Sequence, residues 1–538
     1  MDHSLEQEVK AWIADDPDPV TAAQLQQWVD AGNETELRAS FNGFLQFGTA
    51  GLRGPVRPGP SGMNRAVVGR AATGIVAYMK ERNLSSVVIG RDARYGSEDF
   101  TFETAEIMSG AGMKVFVLPR PLPTPVLAFA TNELKCDVGI MVTASHNPPQ
   151  DNGYKVYLGG TVDGIHYRGS QIVSPTDESI ALKIGAITSL KSQPRGKVWN
   201  VLGEEIVEQY IERTAALAGK PGTLRIVYTA MHGVGTETIQ RVFLKAGFQS
   251  PILVDAQAAP DPDFPTVAFP NPEEPGAIDL ALETAKAFDA HLVIANDPDA
   301  DRCAAAVNDP VTGWRMLRGD ELGAIFAESI ARKIESGIFA NSIVSSSIVR
   351  KIAAHYKLDF KETLTGFKWL AKIENLTFGY EEALGYAVDA MTVNDKDGIS
   401  AAITLAQIAT DLAAEGKTLL DLLDEIWARH GFHATEQISI RLSDLSKVGV
   451  ILGGLRRNPP QEIAGRLVTS IDDLATPTDG LPPTDGIRIW LDGGIRIIIR
   501  PSGTEAKMKC YIEAIERDSK AAQVVLDQLR PPLKELLS

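Results

Sequence analysis

Short apolar runs, each leading into a polar loop and then a helix-forming stretch, recur along most of this chain. They constrain its fold more than any other feature. Residues 86–90 (S-V-V-I-G) read as a buried strand, 97–110 as a helix and 114–118 as the next strand. Residues 224–228 open a second group, with a helix at 236–246 and strands at 251–254 and 291–295. A third group runs from 321 to about 429, with a strand at 342–345 and a long helix at 398–414. Such alternation implies an α/β chain with parallel sheets and crossover helices. The last hundred residues differ. Stretches 437–442 and 486–499 alternate as antiparallel strands do, 472–485 is a loop rich in Pro, Thr, Asp and Gly, and 519–529 is a final helix. An amphipathic helical stretch at 5–30, interrupted near Asp16-Pro17, precedes the first strand. Boundaries fall near Val201, Gly313 and Gly431, giving domains 1–200, 201–313, 314–431 and 432–538.

The formal net charge of -16 over 538 residues argues against a nucleic-acid surface and against anionic membranes. An anionic substrate would need a local basic pocket, because the global field repels it. Cys136, Cys303 and Cys510 are isolated, so neither a disulfide framework nor a zinc pattern is present. This fits a reducing compartment, and a cytoplasmic location is expected. The opening M-D-H-S-L-E-Q-E-V-K lacks the basic and apolar regions of a signal peptide. No apolar run approaches the ~18 residues of a membrane span.

Residues 143–157 read T-A-S-H-N-P-P-Q-D-N-G-Y-K-V-Y and follow an apolar run at 138–142. Ser145 therefore lies just past the carboxyl end of a buried strand, where open α/β sheets place their chemistry. Pro148 and Pro149 stiffen the loop. Asn152-Gly153 is a turn signal expected to bring Tyr154 and Lys155 back toward the serine. A hydroxyl, the His146 imidazole and an ammonium are thus gathered on one loop. Asn296-Asp297-Pro298-Asp299-Ala300-Asp301-Arg302 offers three carboxylates at i, i+2 and i+4, which on an extended loop point to one side. Hard oxygens of this kind suit magnesium. The alternative is a solvated acidic turn, against which stand the strand before it and the arginine after it. An EF-hand calcium loop does not fit, because Arg302 and Asn308 occupy the positions where that loop needs Gly and Glu.

Arg500-Pro501-Ser502-Gly503-Thr504-Glu505 follows another strand. Its guanidinium fork, hydroxyls and freed amides suit a phosphate, with Lys507 and Lys509 nearby. A plain β-turn is the alternative. Residues 379–386 (G-Y-E-E-A-L-G-Y) put adjacent carboxylates after a glycine, able to accept from sugar hydroxyls or equally to form a charged surface loop. Thr365-Gly366-Phe367-Lys368 and Lys396-Asp397-Gly398 carry little alone. Residues 47–54 (F-G-T-A-G-L-R-G) form a glycine-spaced loop with one arginine, suited to an anion. Gly233-Val234-Gly235 lacks the third glycine of a dinucleotide fingerprint and reads as a tight turn. Ser145, flanked by Ala144 and His146, is not in a G-x-S-x-G elbow, which argues against a serine hydrolase.

Together and in this order, T-A-S-H-N-P, D-P-D-A-D-R, G-Y-E-E-A and R-P-S-G-T-E resemble the α-D-phosphohexomutase superfamily, the phosphoglucomutase and phosphomannomutase enzymes. The openings F-G-T-A-G-L-R-G and T-G-F-K-W are most similar to the branch with phosphopentomutase-like and glucose 1,6-bisphosphate synthase-like members. The resemblance implies four domains around a central cleft: three related α/β domains with mainly parallel mixed sheets, then a C-terminal α+β domain of TATA-binding-protein-like type. It implies an intramolecular phosphotransferase that interconverts hexose 1-phosphate and 6-phosphate, glucose or mannose. Phosphopentomutase, sugar-bisphosphate synthase and a non-catalytic phosphosugar-binding protein are the alternatives.

By the same resemblance Ser145 is the phosphoserine, and Asp297, Asp299 and Asp301 hold Mg²⁺ with it. Arg53, His146 and Lys155 surround the transferring group, Lys155 as candidate general acid/base. Arg302, Thr365, Gly366, Phe367, Lys368, Glu381, Ala383 and Lys396 are expected on the substrate. Arg500, Ser502, Gly503 and Thr504, with Lys509, are expected on the non-reacting phosphate. A sugar 1,6-bisphosphate is the implied activator and intermediate, and the last domain is expected to move as a lid. Partners are small sugar phosphates, with no nucleic acid and no membrane, for a monomer or homodimer. Many hexomutases carry serine where this chain has Ala383. Phe367 and Leu384-Gly385-Tyr386 stand where dual-specificity mannose/glucose enzymes carry histidines.

Overall fold

The computed structural model describes residues 3–48, 51–442, 446–501 and 507–537. They form two compact units, one of Met1–Leu317 with Ala371–Asn375 and Ala383–Asp411, the other of Arg318–Leu370, Leu376–Glu382 and Leu412–Ser538.

The first unit opens on helices His3–Asp15 and Pro19–Asp30. The break between them has a local cause: Asp18 caps the second helix by accepting from the Val20 amide, and Pro19 occupies its first turn. The first sheet runs in the order Leu52–Pro55, Asp151–Leu158, Val138–Val142, Ser86–Arg91, Lys114–Val117, Asn200–Val201, with Ser170–Gln171 on Asp151–Leu158. Val138–Val142 is buried throughout, as a strand with helices on both faces must be. Ser86–Arg91 pairs in parallel with both Val138–Val142 and Lys114–Val117, whereas Leu52–Pro55 and Asp151–Leu158 run antiparallel at the edge. The second sheet orders Ile252–Leu253, Ile226–Thr229, Leu292–Ala295, Ala304–Asp309 and Gly313–Met316, the last two antiparallel.

In the second unit Asp359–Thr363, Ile338–Ser342 and Leu376–Glu381 pair in parallel. The strand expected at 342–345 runs over Ile338–Ser342, starting four residues earlier; Ser345 and Ser346 belong to the loop before helix Ile348–His355. The C-terminal α+β part has a six-stranded antiparallel sheet in the order Phe432–Arg441, Lys507–Glu516, Ile495–Pro501, Ile487–Leu491, Arg466–Asp473, Glu462–Ile463. The alternating stretch at 486–499 is thus a hairpin of two strands. Ile495, Ile497 and Ile499 face a core shared with Leu452 and Leu455 of helix Ser446–Arg457 and with Leu526, Leu529 and Leu533 of helix Ser519–Leu536. That last helix continues past its expected end through Pro531 and Pro532, because Leu529 and Leu533 are both fully buried on its inner face. Ile498 and Tyr511 point the other way, into a cluster with Ile343, Val344 and Leu364. Among the described residues no helix is long and apolar enough to cross a membrane.

Candidate active site

Ser145 leaves the buried strand Val138–Val142 and sits 3% exposed with φ of 54°, a left-handed conformation that costs a non-glycine residue about 1–2 kcal/mol. Its loop is therefore held from outside. The Thr143 hydroxyl accepts from the Ser145 amide at 2.9 Å. The larger constraint is Arg94, absent from every sequence expectation. Its Nη2 donates to the carbonyls of Ser145 (2.7 Å) and Asn147 (2.6 Å), and its Nη1 to those of Pro148 (2.8 Å) and Asp151 (3.1 Å). Asp92, 3.4 Å from the Arg94 Nε, is buried beside it, and the Phe264 ring lies 4.8 Å from the guanidinium. The arginine gathers four carbonyls around one fork, of which that of Pro148 also accepts from the Asp151 amide.

Asn152-Gly153 is not the turn that the sequence suggested. Both residues lie inside the strand Asp151–Leu158, and the chain reverses over 143–150 instead. Gly153 is required by packing: a Cβ there would stand 2.5 Å from the Thr143 carbonyl oxygen and 2.9 Å from that of Leu52. Antiparallel pairing of Met141 with Lys155 then returns the lysine to the serine's end of the sheet.

The three aspartates also converge by a different route. Residues 298–300 form a turn, with Ala300 at φ 54°, rather than an extended loop. The Val234 amide donates to the Pro298 carbonyl, and Gly233 packs so closely on Pro298 that a Cβ would lie 2.3 Å from it. The stretch read as a tight turn therefore braces this loop. Asn296 spans its base, donating to the Arg302 carbonyl at 2.6 Å while accepting from Tyr228 at 2.8 Å.

Ser145 Oγ donates to Asp297 Oδ2 at 2.7 Å and lies 3.1 Å from His146 Nδ1. Lys155 Nζ bridges Asp299 Oδ2 (2.8 Å) and Asp301 Oδ2 (2.7 Å), and Lys396 Nζ reaches Asp301 Oδ2 at 2.7 Å. No local sequence signal placed Lys396 among the aspartates. Thr124, also unforeseen, donates its hydroxyl to Asp299 Oδ2 at 2.6 Å. Arg53, on Leu52–Pro55, donates to Asn147 Oδ1 at 3.2 Å. The Arg302 amide donates to Asp297 Oδ1 at 3.0 Å.

Charge in this site is strongly redistributed. Burial and the carboxylates of Asp299 and Asp301 push Asp297 up to about 8. Burial would also raise Asp299, but Lys155 and Lys396 outweigh it and hold that carboxyl below its ordinary range; Asp301 moves the same way. Burial disfavours the Lys155 ammonium, yet Asp299 and Asp301 raise its pKa above the usual lysine value. Burial, with Arg302 and Arg53 near, keeps His146 neutral.

One carboxylate oxygen from each of Asp297, Asp299 and Asp301 lies within 4.8 Å of the others, a group that could hold a metal ion. The fit is tested by what is left over: Asp299 Oδ1 and Asp301 Oδ1 are buried without a hydrogen-bond partner. Unpaired buried carboxylate oxygens are costly unless a cation takes them, and three hard oxygens suit a small divalent ion.

The remaining expected residues lie in or beside the second unit's loops. The Gly366 amide (φ 113°) donates to Glu381 Oε1 at 2.6 Å, so T-G-F-K and E-E-A are joined. Thr365 Oγ1 is buried without a partner. Phe367 is 4% exposed and opens the short helix Phe367–Leu370, so its ring is a core element, while Lys368 is only partly buried. Glu382 accepts from the Ser345 and Ser342 hydroxyls at 2.9 and 3.3 Å, partners the sequence did not reveal. Ala383 is partly buried and directly precedes Leu384, whose carbonyl accepts from the Cys303 amide. Arg500 is the last residue but one of the strand Ile495–Pro501, in register with Lys509. Ser502, Gly503 and Thr504 lie outside the described residues.

Comparison with known proteins agrees with this arrangement. Successive stretches match the phosphoglucomutase/phosphomannomutase family models: alpha/beta/alpha domain I over 45–181, domain II over 207–313, domain III over 318–430 and the C-terminal domain over 454–529. A probable phosphomannomutase of Haemophilus influenzae is 47% identical over 483 residues, covering 88% of this chain and 98% of its own. The mouse (Mus musculus) phosphopentomutase is 33% identical, covering 95% and 90%, and a Staphylococcus haemolyticus phosphoglucomutase is 33% identical, covering 90% and 92%. The fold is shared with a putative phosphomannomutase from Thermus thermophilus, at a TM-score of 0.71 and 22% identity over 92% of this chain and 99% of that one. With four successive domain matches and a relative 47% identical over 88% of this chain, the chain belongs to the phosphoglucomutase/phosphomannomutase family.

Proposed function

We propose that this family member is a phosphosugar mutase that interconverts hexose 1-phosphate and hexose 6-phosphate, with Ser145 as the phosphate carrier. The observation that carries this reading is the Ser145 hydroxyl, 2.7 Å from Asp297 inside a buried cluster of three aspartates and two lysines. Serine in such surroundings is poorly suited to acyl transfer, because among the described residues no carboxylate hydrogen-bonds the His146 ring to orient it as a base. It is well suited to hold a phosphoryl group, whose charge of about -1.5 to -2 needs cations around it.

Asp297, Asp299 and Asp301 would hold Mg²⁺, which neutralises the cluster and draws charge from the transferring oxygens. The chain's own residues do the positioning, the larger share of phosphoryl-transfer catalysis. A free sugar hydroxyl attacks phosphorus, the bond to Ser145 Oγ breaks, and the hydroxyl proton leaves to a base. The sugar bisphosphate turns over, and its other phosphate returns to Ser145 Oγ. Lys155 and Arg53 supply positive charge to the moving group. While Lys155 bridges two carboxylates it is held as an ammonium, which fits a proton donor; Asp297 Oδ2 at 2.7 Å and neutral His146 Nδ1 at 3.1 Å are the acceptors at hand for a proton at Oγ. Arg500 and its loop, with Lys509, hold the phosphate that is not reacting, and Glu381 accepts from sugar hydroxyls.

Ribose phosphates form a second reading, favoured by phosphopentomutase relatives that align over nearly the whole chain and by Ala383 in the sugar loop. The test is conversion of glucose, mannose and ribose 1-phosphates with Mg²⁺ and a trace of the cognate bisphosphate. Turnover by the native chain with none by Ser145→Ala is expected. Absence of turnover with all three sugars, or a fully active Ser145→Ala variant, refutes the proposal.

A further inference from the structure

Phe264 stands in a backbone conformation that a bulky side chain rarely takes. Its φ is 46° and it is 3% exposed, on the stretch 259–278 that joins the short helix Asp255–Ala258 to the helix Asp279–Ala287. A left-handed aromatic residue is a genuine outlier, and backbone strain of this kind persists only where surrounding bonds impose it. Here they do. The Phe264 amide donates to the Asp261 carbonyl at 3.2 Å, and its carbonyl accepts from the Val267 amide at 3.0 Å. Asp261 is itself tied down: its amide donates to the His232 carbonyl at 3.0 Å, and its Oδ1 accepts from the Asp263 amide at 2.9 Å.

The strain sets the ring against Arg94, with the ring centroid 4.8 Å from the guanidinium carbon. Four carbonyls of the Ser145 loop, and Asp92, take the edges of that guanidinium in its own plane. Its flat faces remain, and a face is where an aromatic ring attracts a cation. A covered face is also closed to water, which would compete for the same carbonyls. Two residues on, Thr266 serves the aspartate loop. Its Oγ1 accepts from Gln257 Nε2 at 2.9 Å and lies 2.8 Å from His232 Nε2, while the His232 amide donates to the Gln257 carbonyl at 3.0 Å. Met231 and His232 are left-handed too, at φ 50° and 61°, and lead into Gly233, which packs on Pro298 between Asp297 and Asp299. One short segment, 261–266, thus touches the supports of both loops that meet where Ser145 Oγ lies 2.7 Å from Asp297.

We propose that Phe264 is a positioning residue for phosphoryl transfer that acts through Arg94. Its ring holds the guanidinium against the Ser145 loop, while Thr266 of the same segment holds the turn that braces the aspartate loop. The spacing of the serine oxygen from the aspartates is therefore set by a segment of the second domain, and not by residues 143–150 alone. That this spacing governs transfer of a phosphoryl group rests on the functional reading above; the packing of Phe264 on Arg94 does not.

A double-mutant cycle tests this path. Phe264→Leu keeps apolar bulk but loses the ring face. With the best of the three sugar 1-phosphates and saturating bisphosphate, it should lower kcat about tenfold or more. KM should stay within about threefold, because the change displaces the reacting serine rather than the groups that bind sugar. Phe264→Tyr keeps the face and should retain kcat within about threefold. Combining Phe264→Leu with Arg94→Lys should bring kcat to within about threefold of Arg94→Lys alone, whereas independent effects would multiply to about a hundredfold or more. Multiplying effects, a leucine variant with native kcat, or a tyrosine variant as slow as the leucine one overturns the proposal. Should the leucine variants fail to fold, the native chain still decides. With isotopically labelled arginine, the guanidinium signals that vanish in Arg94→Lys should be shifted upfield by the ring and exchange slowly with water. Unshifted, fast-exchanging Arg94 signals overturn it. A native chain inactive on every sugar phosphate would refute the functional reading and leave the guanidinium result standing.

Discussion

Replacing Arg94 separates its charge from its shape. The guanidinium makes four hydrogen bonds of 2.6–3.1 Å to the carbonyls of residues 145, 147, 148 and 151, and it is the nearest cation to buried Asp92. Arg94→Met removes both functions. Leaving one member of a buried pair uncompensated costs about 3–5 kcal/mol. Arg94→Lys keeps the charge for Asp92, so its stability loss should be smaller, about 1–2 kcal/mol from the hydrogen bonds it cannot remake. An ammonium has three donors and no fork, so it cannot reach four carbonyls. The strained Ser145 backbone then relaxes, and a displacement of about 1 Å at a reacting atom costs roughly 100-fold in rate. Urea melts should rank native above Lys above Met, while kcat falls tenfold or more in the lysine variant. A lysine variant with native kcat would show that Ser145 holds its geometry without Arg94, and the reasoning would be wrong.

Gly153→Ala forces a Cβ against two backbone oxygens, of Thr143 and Leu52, neither of which can swing away; a loss of about 1–3 kcal/mol in a urea melt is expected, and an unmoved midpoint would contradict the packing. Asp301→Asn removes one of the unpartnered carboxylate oxygens. Since partners one step removed from a metal are typically worth 10–100-fold, activity should fall by about 100-fold or more, with a higher Mg²⁺ requirement in titration. Asp397, which caps helix Gly398–Ala414 by accepting from the Ile399 and Ser400 amides, is pushed up to about 6 by burial. Its folded pKa exceeds the ordinary 3.8, so the native state binds the proton more tightly. Stability from this group is greatest at low pH and is lost as pH rises from about 4 through 6, a change of about 3 kcal/mol. Asp397→Asn keeps the cap acceptor, so its stability profile should be flatter by that amount across the same window; an identical slope would refute the assignment.

The sequence alone determined what is local. Residue pattern marked the helix Ser97–Gly110, Asp16-Pro17 marked the break between the first two helices, and the chemistry-bearing loops could be recognised from residue type and spacing. Burial on both faces leaves a strand such as Val138–Val142 little choice of composition, so such strands were legible. Where the chain turns back was not legible, since Asn152-Gly153 satisfies a turn's preferences and yet lies within a strand because two neighbouring backbones press on it. Partners distant in sequence were hidden for the same reason. Arg94 lies about fifty residues from the loop it clamps, Lys396 ninety-five from Asp301, and Glu513 more than 160 from the helix it caps. Nothing in a residue's own neighbourhood records which distant amide or carboxylate it will meet. That was decided by tertiary structure, because burying these charges and free backbone groups is tolerable only where they satisfy one another.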